Sequence, residues 1–232
     1  MSELIMNVPC MLALTVGAYL LGVWLKRKSG WALLHPFLIS IPVIICVLHL
    51  TGIPADYYIK GNAVIEFLLG PCVVALGLKL YDYVDLIRRN FLSLAVSVLC
   101  GAWSGIVSVW LLWKLFGLDE IFLLSMAAKS VTTPIAMDLT SGLGGNVSLA
   151  VVSVVMCGFI GAVLGPWVVK LLGFKSEIAK GMAMGCASHG LGTSRALEES
   201  ALQGAISGLA MALMGVATSL LIPLVSVLEA GI

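Results

Sequence analysis

Long apolar runs separated by short polar joints fill this chain from end to end. The runs are Leu4 to Leu25, Trp31 to Leu50, Ala63 to Leu80, Phe91 to Trp113, Val147 to Leu172 and Ala201 to Leu228. Each approaches the roughly 20 residues that a helix needs to cross the hydrocarbon of a bilayer. The runs therefore predict six spanning helices. The joints carry the expected breakers: Thr51-Gly52-Ile53-Pro54, Lys114 to Glu120, and Gly173 to Glu177. The fold class is therefore all-α and polytopic, a single integral membrane domain over 1–232, with N-terminal helices over 1–90 and a final helix over 201–228. Two further stretches, Ile121 to Asn146 and Ile178 to Ser200, are apolar but interrupted halfway by polar residues.

Composition agrees with the pattern: 60% of residues are hydrophobic and 11% charged, against about 25% charged in soluble domains. A formal net charge of +1 gives no reason to expect a nucleic-acid partner. Cys10, Cys46, Cys72, Cys100, Cys157 and Cys186 all sit in apolar runs without CxxC or metal-ligand spacing, so they read as small buried hydrophobes and imply no metal or cofactor. At the N-terminus, Glu3 precedes the first run and Lys26-Arg27-Lys28 follow it, the reverse of a cleavable signal. That order predicts a retained span with its N-terminus outside the cytoplasmic membrane, and Trp24 and Trp31 bracket the basic loop as interfacial anchors would.

An internal repeat links the two interrupted stretches. With an offset of 56, ten of the thirty-two positions from Val96 to Ala127 meet identical residues between Val152 and Ala183, including Gly105 on Gly161 and Met126 on Met182. The units, 91–146 and 147–200, are each a long span followed by an interrupted segment, a period that has to be recognised before a fold is proposed. If both interrupted segments cross the membrane, six basic residues flank the inside and five the outside. If both are re-entrant hairpins, Lys26, Arg27, Lys28, Lys79, Arg88, Arg89, Lys170, Lys175 and Lys180 fall inside, and only Lys60 and Lys114 outside. The positive-inside rule favours hairpins, one entering from each face, an inverted repeat of the kind secondary transporters place around a midplane substrate site.

In the first segment, Lys129-Ser130-Val131-Thr132-Thr133-Pro134 predicts a half-helix beginning in mid-membrane, with Pro134 at its first position and Thr132 or Thr133 as cap. Its free N–H groups and positive dipole end suit an anion. Lys129 either neutralises the end of the preceding half-helix or serves the site directly, and an ionisable residue at this depth is a functional candidate. In the second segment, Ser188 and His189 superpose on Thr132 and Thr133, Gly190 and Gly192 allow unusual backbone, and Thr193 adds a hydroxyl. His189 is either a hydrogen-bonded structural residue or a ligand and proton group. Arg195 either forks onto a carboxylate ligand or pairs with Glu198 or Glu199 one turn on. Asp138, Glu198 and Glu199 are candidates for ion coupling or for structure; Glu66 shows no partner by spacing, and His35 and His49 read as structural or interfacial. The Gly70-Pro71 step predicts a kink. Ser130, Ser188, His189 and Asp138 could be assembled into a hydrolase on paper, but no nucleophile elbow or metal motif accompanies them, and an enzyme is not expected.

Lys-Ser-Val-Thr-Thr-Pro-Ile-Ala-Met at 129–137 and Ser-His-Gly-Leu-Gly-Thr-Ser-Arg-Ala-Leu-Glu-Glu at 188–199 resemble the LrgB/CidB family of bacterial membrane proteins over nearly the whole chain. Members of that family often carry Pro where this chain has Ala128 and Ala where it has Ser194. The resemblance implies one of two roles: a holin-like or antiholin-like modulator of murein hydrolase export and autolysis, or a carrier of pyruvate, glycolate or glycerate, as for plastid relatives. It also implies a smaller LrgA/CidA-type membrane partner, with a homo-oligomer equally open. The paired polar breaks favour the carrier, with a small carboxylate held by Lys129, Ser130, Thr132, Thr133, Pro134, Ser188, His189, Gly190, Thr193 and Arg195.

Overall fold

A computed structural model describes residues 8–30 and 35–230; the beginning of the first run and the anchor Trp31 lie outside the described residues. These form eleven helices and no strand: α1 Val8–Ser29, α2 Pro36–Thr51, α3 Ala55–Gly61, α4 Ala63–Tyr81, α5 Val84–Arg89, α6 Phe91–Phe116, α7 Glu120–Met126, α8 Thr133–Gly142, α9 Val147–Leu171, α10 Glu177–Glu199 and α11 Ala201–Ala230. In their described residues all six apolar runs are helical. Stretches of α1, α6, α9 and α11 are long and apolar enough to span a bilayer, whereas α2 and the Ala63–Cys72 part of α4 are shorter apolar helices. The 16 residues of α2 rise about 24 Å, less than a full hydrocarbon thickness.

The chain divides into two compact units, one up to Ala75 and one from Leu76. In the first, α1 packs on α2 where Gly22 leaves room for the Pro36 backbone, since a Cβ there would lie 2.7 Å from Pro36 Cα. The Thr15 hydroxyl ties α1 to the region of α3, meeting the Tyr58 hydroxyl at 2.7 Å and Asn62 Oδ1 at 2.8 Å. His35 is structural: its Nδ1 accepts the Phe37 N–H at 3.4 Å and so caps α2.

In the second unit, α11 is the most enclosed span, 56% of its apolar window being buried. Lipid offers no hydrophobic drive between helices, so close approach of small residues has to supply the packing. Gly181 and Gly185 of α10 provide it: a Cβ at Gly181 would sit 2.7 Å from the Gln203 carbonyl oxygen, and one at Gly185 would overlap the Ser207 carbonyl.

Both interrupted segments are hairpins. A straight helix of the 23 residues in α10 would be about 35 Å long, yet the Ser200 hydroxyl donates to Glu177 Oε2 at 3.2 Å, joining its two ends. The reversal is at His189, whose φ of 39° and ψ of −124° are non-helical. Likewise the Asn146 N–H donates to Ser125 Oγ at 2.8 Å, bringing the chain after α8 back to α7.

The hairpins open in opposite directions. The α10 hairpin opens beside the start of α6, where Asn90 and Ser93 border the same cavity as Phe174 and Ser176. The α7–α8 hairpin follows the other end of α6 and packs Ala128, Val131 and Ala136 against Ile106 and against Ile222, late in α11. Within this unit Arg88, Arg89, Lys170, Lys175 and Lys180 belong to the first face and Lys114 to the second, the asymmetry on which the hairpin expectation rests. In a cysteine-free background, a cysteine at Lys175 is expected to be labelled from the cytoplasm and one at Asp119 from outside. Labelling of both from one side would contradict the inversion.

Candidate functional site

The first break falls between α7 and α8. Residues 127–130 form a turn, and Thr132, extended at φ −68° and ψ 151°, stands at the N-cap of α8. Two sequence expectations need correction here: Pro134 is the second helical residue, not the first, and Thr132 makes no side-chain capping bond. The reason is local. A capping hydroxyl bonds the N–H of the second or third helical residue, and Pro134 removes one of those two. The Thr132 carbonyl instead accepts the Ala136 N–H at 3.0 Å. The amides of Thr133 and Ile135 remain without an intrahelical acceptor, at the positive end of the α8 dipole.

Lys129 does not close α7. Its Nζ reaches across to α6, donating to the Gly105 carbonyl at 3.2 Å and the Ser108 hydroxyl at 3.3 Å. Both partners are neutral, and among the described residues no carboxylate pairs with this ammonium. Gly105 also faces the turn, where a Cβ would stand in ordinary van der Waals contact with Ser130 Oγ, at 3.4 Å.

The second break is built against α9. Ser188 is fully buried and its hydroxyl has no partner; a Cβ on Gly161 would occupy its place. His189 Nε2 lies 3.0 Å from the Val154 carbonyl oxygen, and a Cβ on Gly158 would come within 2.6 Å of the imidazole. Gly158 and Gly161 are three residues apart and so share one face of α9. The Thr193 hydroxyl donates to the His189 carbonyl at 2.8 Å and meets Ser207 Oγ of α11 at 3.0 Å. Cys157 Sγ donates to the Ala187 carbonyl at 3.3 Å.

The two breaks meet through shared neighbours. Val154 packs its side chain with Ala128 and Val131 of the first break and offers its carbonyl to His189 of the second. On α6, Gly101 faces Cys186 and Gly105 faces Ser130, one helical turn, or about 6 Å, apart. These contacts fall near the middle of α6 and α9.

The structure thus gathers Lys129, Ser130, Ser188, His189 and Thr193 around α6 and α9, with Thr132 and Thr133 half-buried and Pro134 exposed at the start of α8. Gly190 is half-buried just past the reversal. Arg195 is elsewhere: it pairs with Glu198 at 2.9 Å and Glu199 at 2.5 Å and borders a cavity at the open end of the hairpin. Asp138 is exposed on α8. Sequence reasoning passed over Ser108, Cys157, Gly158 and Ser207. Gly105 and Gly161 were visible as a repeat match, but Gly161 not as the residue that admits Ser188. Among the described residues no group of three His, Cys, Asp or Glu side chains could hold a metal ion.

His189 is the one non-glycine residue at positive φ among the described residues. His189→Gly relieves the left-handed backbone and loses the bond to Val154, whereas His189→Ala loses the bond and keeps the strain. The glycine variant is expected to be the more stable by about 1 kcal/mol, measured by thermal unfolding in detergent; equal midpoints would remove strain from the description of this turn.

The LrgB-like family model matches residues 15–228. The chain is 39% identical to the Bacillus subtilis (strain 168) protein YxaC over 91% of its own length and 92% of that protein. It is 34% identical to proteins named holin-like protein CidB of Staphylococcus epidermidis (strain ATCC 12228 / FDA PCI 1200) and Staphylococcus aureus (strain N315), over 94% of this chain and 95% of each. No solved structure matches it.

Proposed function

The chain belongs to the LrgB-like family of multi-pass membrane proteins, and from that premise we propose that it carries small organic monoanions across the bacterial cytoplasmic membrane. The observation that supports this most is the convergence of two oppositely directed half-helical breaks near the middle of α6 and α9, one carrying an ammonium that faces only neutral partners. Free amides of α8, hydroxyls of the breaks and Lys129 make a surplus of donors, which is what a carboxylate needs. In this reading the N-terminus is outside, a small LrgA/CidA-type subunit completes the carrier, and no bond of the substrate is made or broken.

The name holin-like protein, borne by the Staphylococcus relatives, favours a second reading: modulation of murein hydrolase export and autolysis. Of the two, that name supports the holin-like role more directly than the carrier, while the breaks support the carrier. Binding separates them. Purified protein is expected to bind glycolate or pyruvate and to ignore the neutral amide glycolamide in equilibrium titrations. Equal binding of acid and amide, or of neither, would remove the anion site and leave the holin-like role.

A further inference from the structure

We propose a second anion site, at the open end of the α10 hairpin, that takes a phosphate group. A cavity of about 540 Å³ lies there, bounded by Lys170 at the end of α9, Lys175 in the following loop, Lys180 on the first arm of the hairpin and Arg195 on the second. Arg195 is paired with Glu198 and Glu199, the second of which also lines the cavity, so these three side chains together leave one negative charge. Lys170, Lys175 and Lys180 make no ion pair among the described residues, so three ammonium groups face one space against a single excess carboxylate charge, and the cavity stays net positive. Gln203 of α11, only 8% exposed, also lines it, adding a buried amide to the charges.

The charge number selects the ligand. One ammonium suffices for a monocarboxylate, whereas three lysines from three neighbouring segments suit the several oxygens and higher charge of a phosphate, to which lysine offers compact point charges. The volume is within the range of small-molecule sites, far larger than a bare ion, and Val169 and Met184 give an apolar wall for an organic remainder. The site is distinct from the breaks, because its cations sit at the ends of α9 and α10 rather than at the reversal. A phosphate seated there ties the end of α9 and the following loop to the first arm of the hairpin.

A phosphorylated solute and an anionic lipid headgroup present the same chemistry at this depth. Calorimetric titration of the full chain in neutral detergent, at fixed ionic strength, separates them with two probes: inorganic phosphate, and dihexanoyl phosphatidylglycerol below its micellar concentration. Replacing each lysine by glutamine is expected to weaken binding about fivefold, and the combined Lys170→Gln, Lys175→Gln, Lys180→Gln protein roughly a hundredfold. Lys114→Gln, on the opposite face, should leave it unchanged. Binding of inorganic phosphate lost in the triple variant assigns the site to a soluble ligand; loss seen with the lipid alone assigns it to a headgroup. No binding of either probe, or binding that survives the triple variant, overturns the proposal. None of these outcomes depends on whether the chain transports monocarboxylates.

Discussion

Gly185→Ala is expected to lower the thermal midpoint of the purified protein by about 5 to 10 °C, the largest loss of stability among single methyl additions here. The new Cβ would overlap the Ser207 carbonyl of α11 and stand 2.8 Å from Ala210 Cβ. Neither is the far end of a flexible side chain, so α10 and α11 have to separate, and overpacking of this kind costs about 2 to 3 kcal/mol. Gly17→Ala, with nothing within 4 Å of the added carbon, should be neutral or stabilising by up to about 1 kcal/mol, since alanine is the better helix former. Circular dichroism on both variants checks this. Equal midpoints would mean that the first arm of the hairpin is not held tightly on α11.

Lys129→Met should act on binding and spare the fold. Methionine keeps most of the apolar stem, and the carbonyl of Gly105 and hydroxyl of Ser108 lose an ammonium donor. Removing an unpaired charge from an apolar surround relieves desolvation, so the thermal midpoint should not fall. Loss of a charge-assisted hydrogen bond of about 1.5 to 3 kcal/mol should weaken monocarboxylate binding about tenfold to a hundredfold. Titration of glycolate into wild type and variant reads the difference; undiminished affinity would make Lys129 a structural strut between α7 and α6.

Much of this architecture is legible in the chain because lipid punishes unsatisfied backbone. A run such as Val147 to Leu172 has to be a helix, and the breaks around Thr132 and Ser188 have to be sheltered inside the bundle. The opposed hairpins were readable from lysines and arginines, whose placement follows a rule of topology rather than of packing. What the sequence hides is which residue faces which. Arg195 could have forked onto a ligand or onto its own helix, and only the geometry gives it to Glu198 and Glu199. Spacing could not show that Lys129 bypasses the end of α7 for α6, because that choice depends on where α6 passes the turn and offers the Gly105 carbonyl and Ser108 hydroxyl. The capping expectation failed for a reason within reach, since Pro134 has no N–H to be capped. Gly158 escaped notice, and Gly161 showed only as a repeat match, because in an apolar run a glycine that admits a neighbouring side chain looks like any other small residue.

The measurement that bears most directly on the central claim is flux. In proteoliposomes containing the chain together with an LrgA/CidA-type subunit, the partner proposed above, labelled pyruvate is expected to enter saturably. Uptake should fall at least tenfold in Lys129→Met and by a smaller factor in Thr133→Val, while Lys114→Met behaves as wild type and neutral glycerol does not follow pyruvate. Pyruvate and glycerol entering together without saturation, at the same rate in wild type and Lys129→Met, would contradict a carrier built on the two breaks and leave an unselective, holin-like pathway.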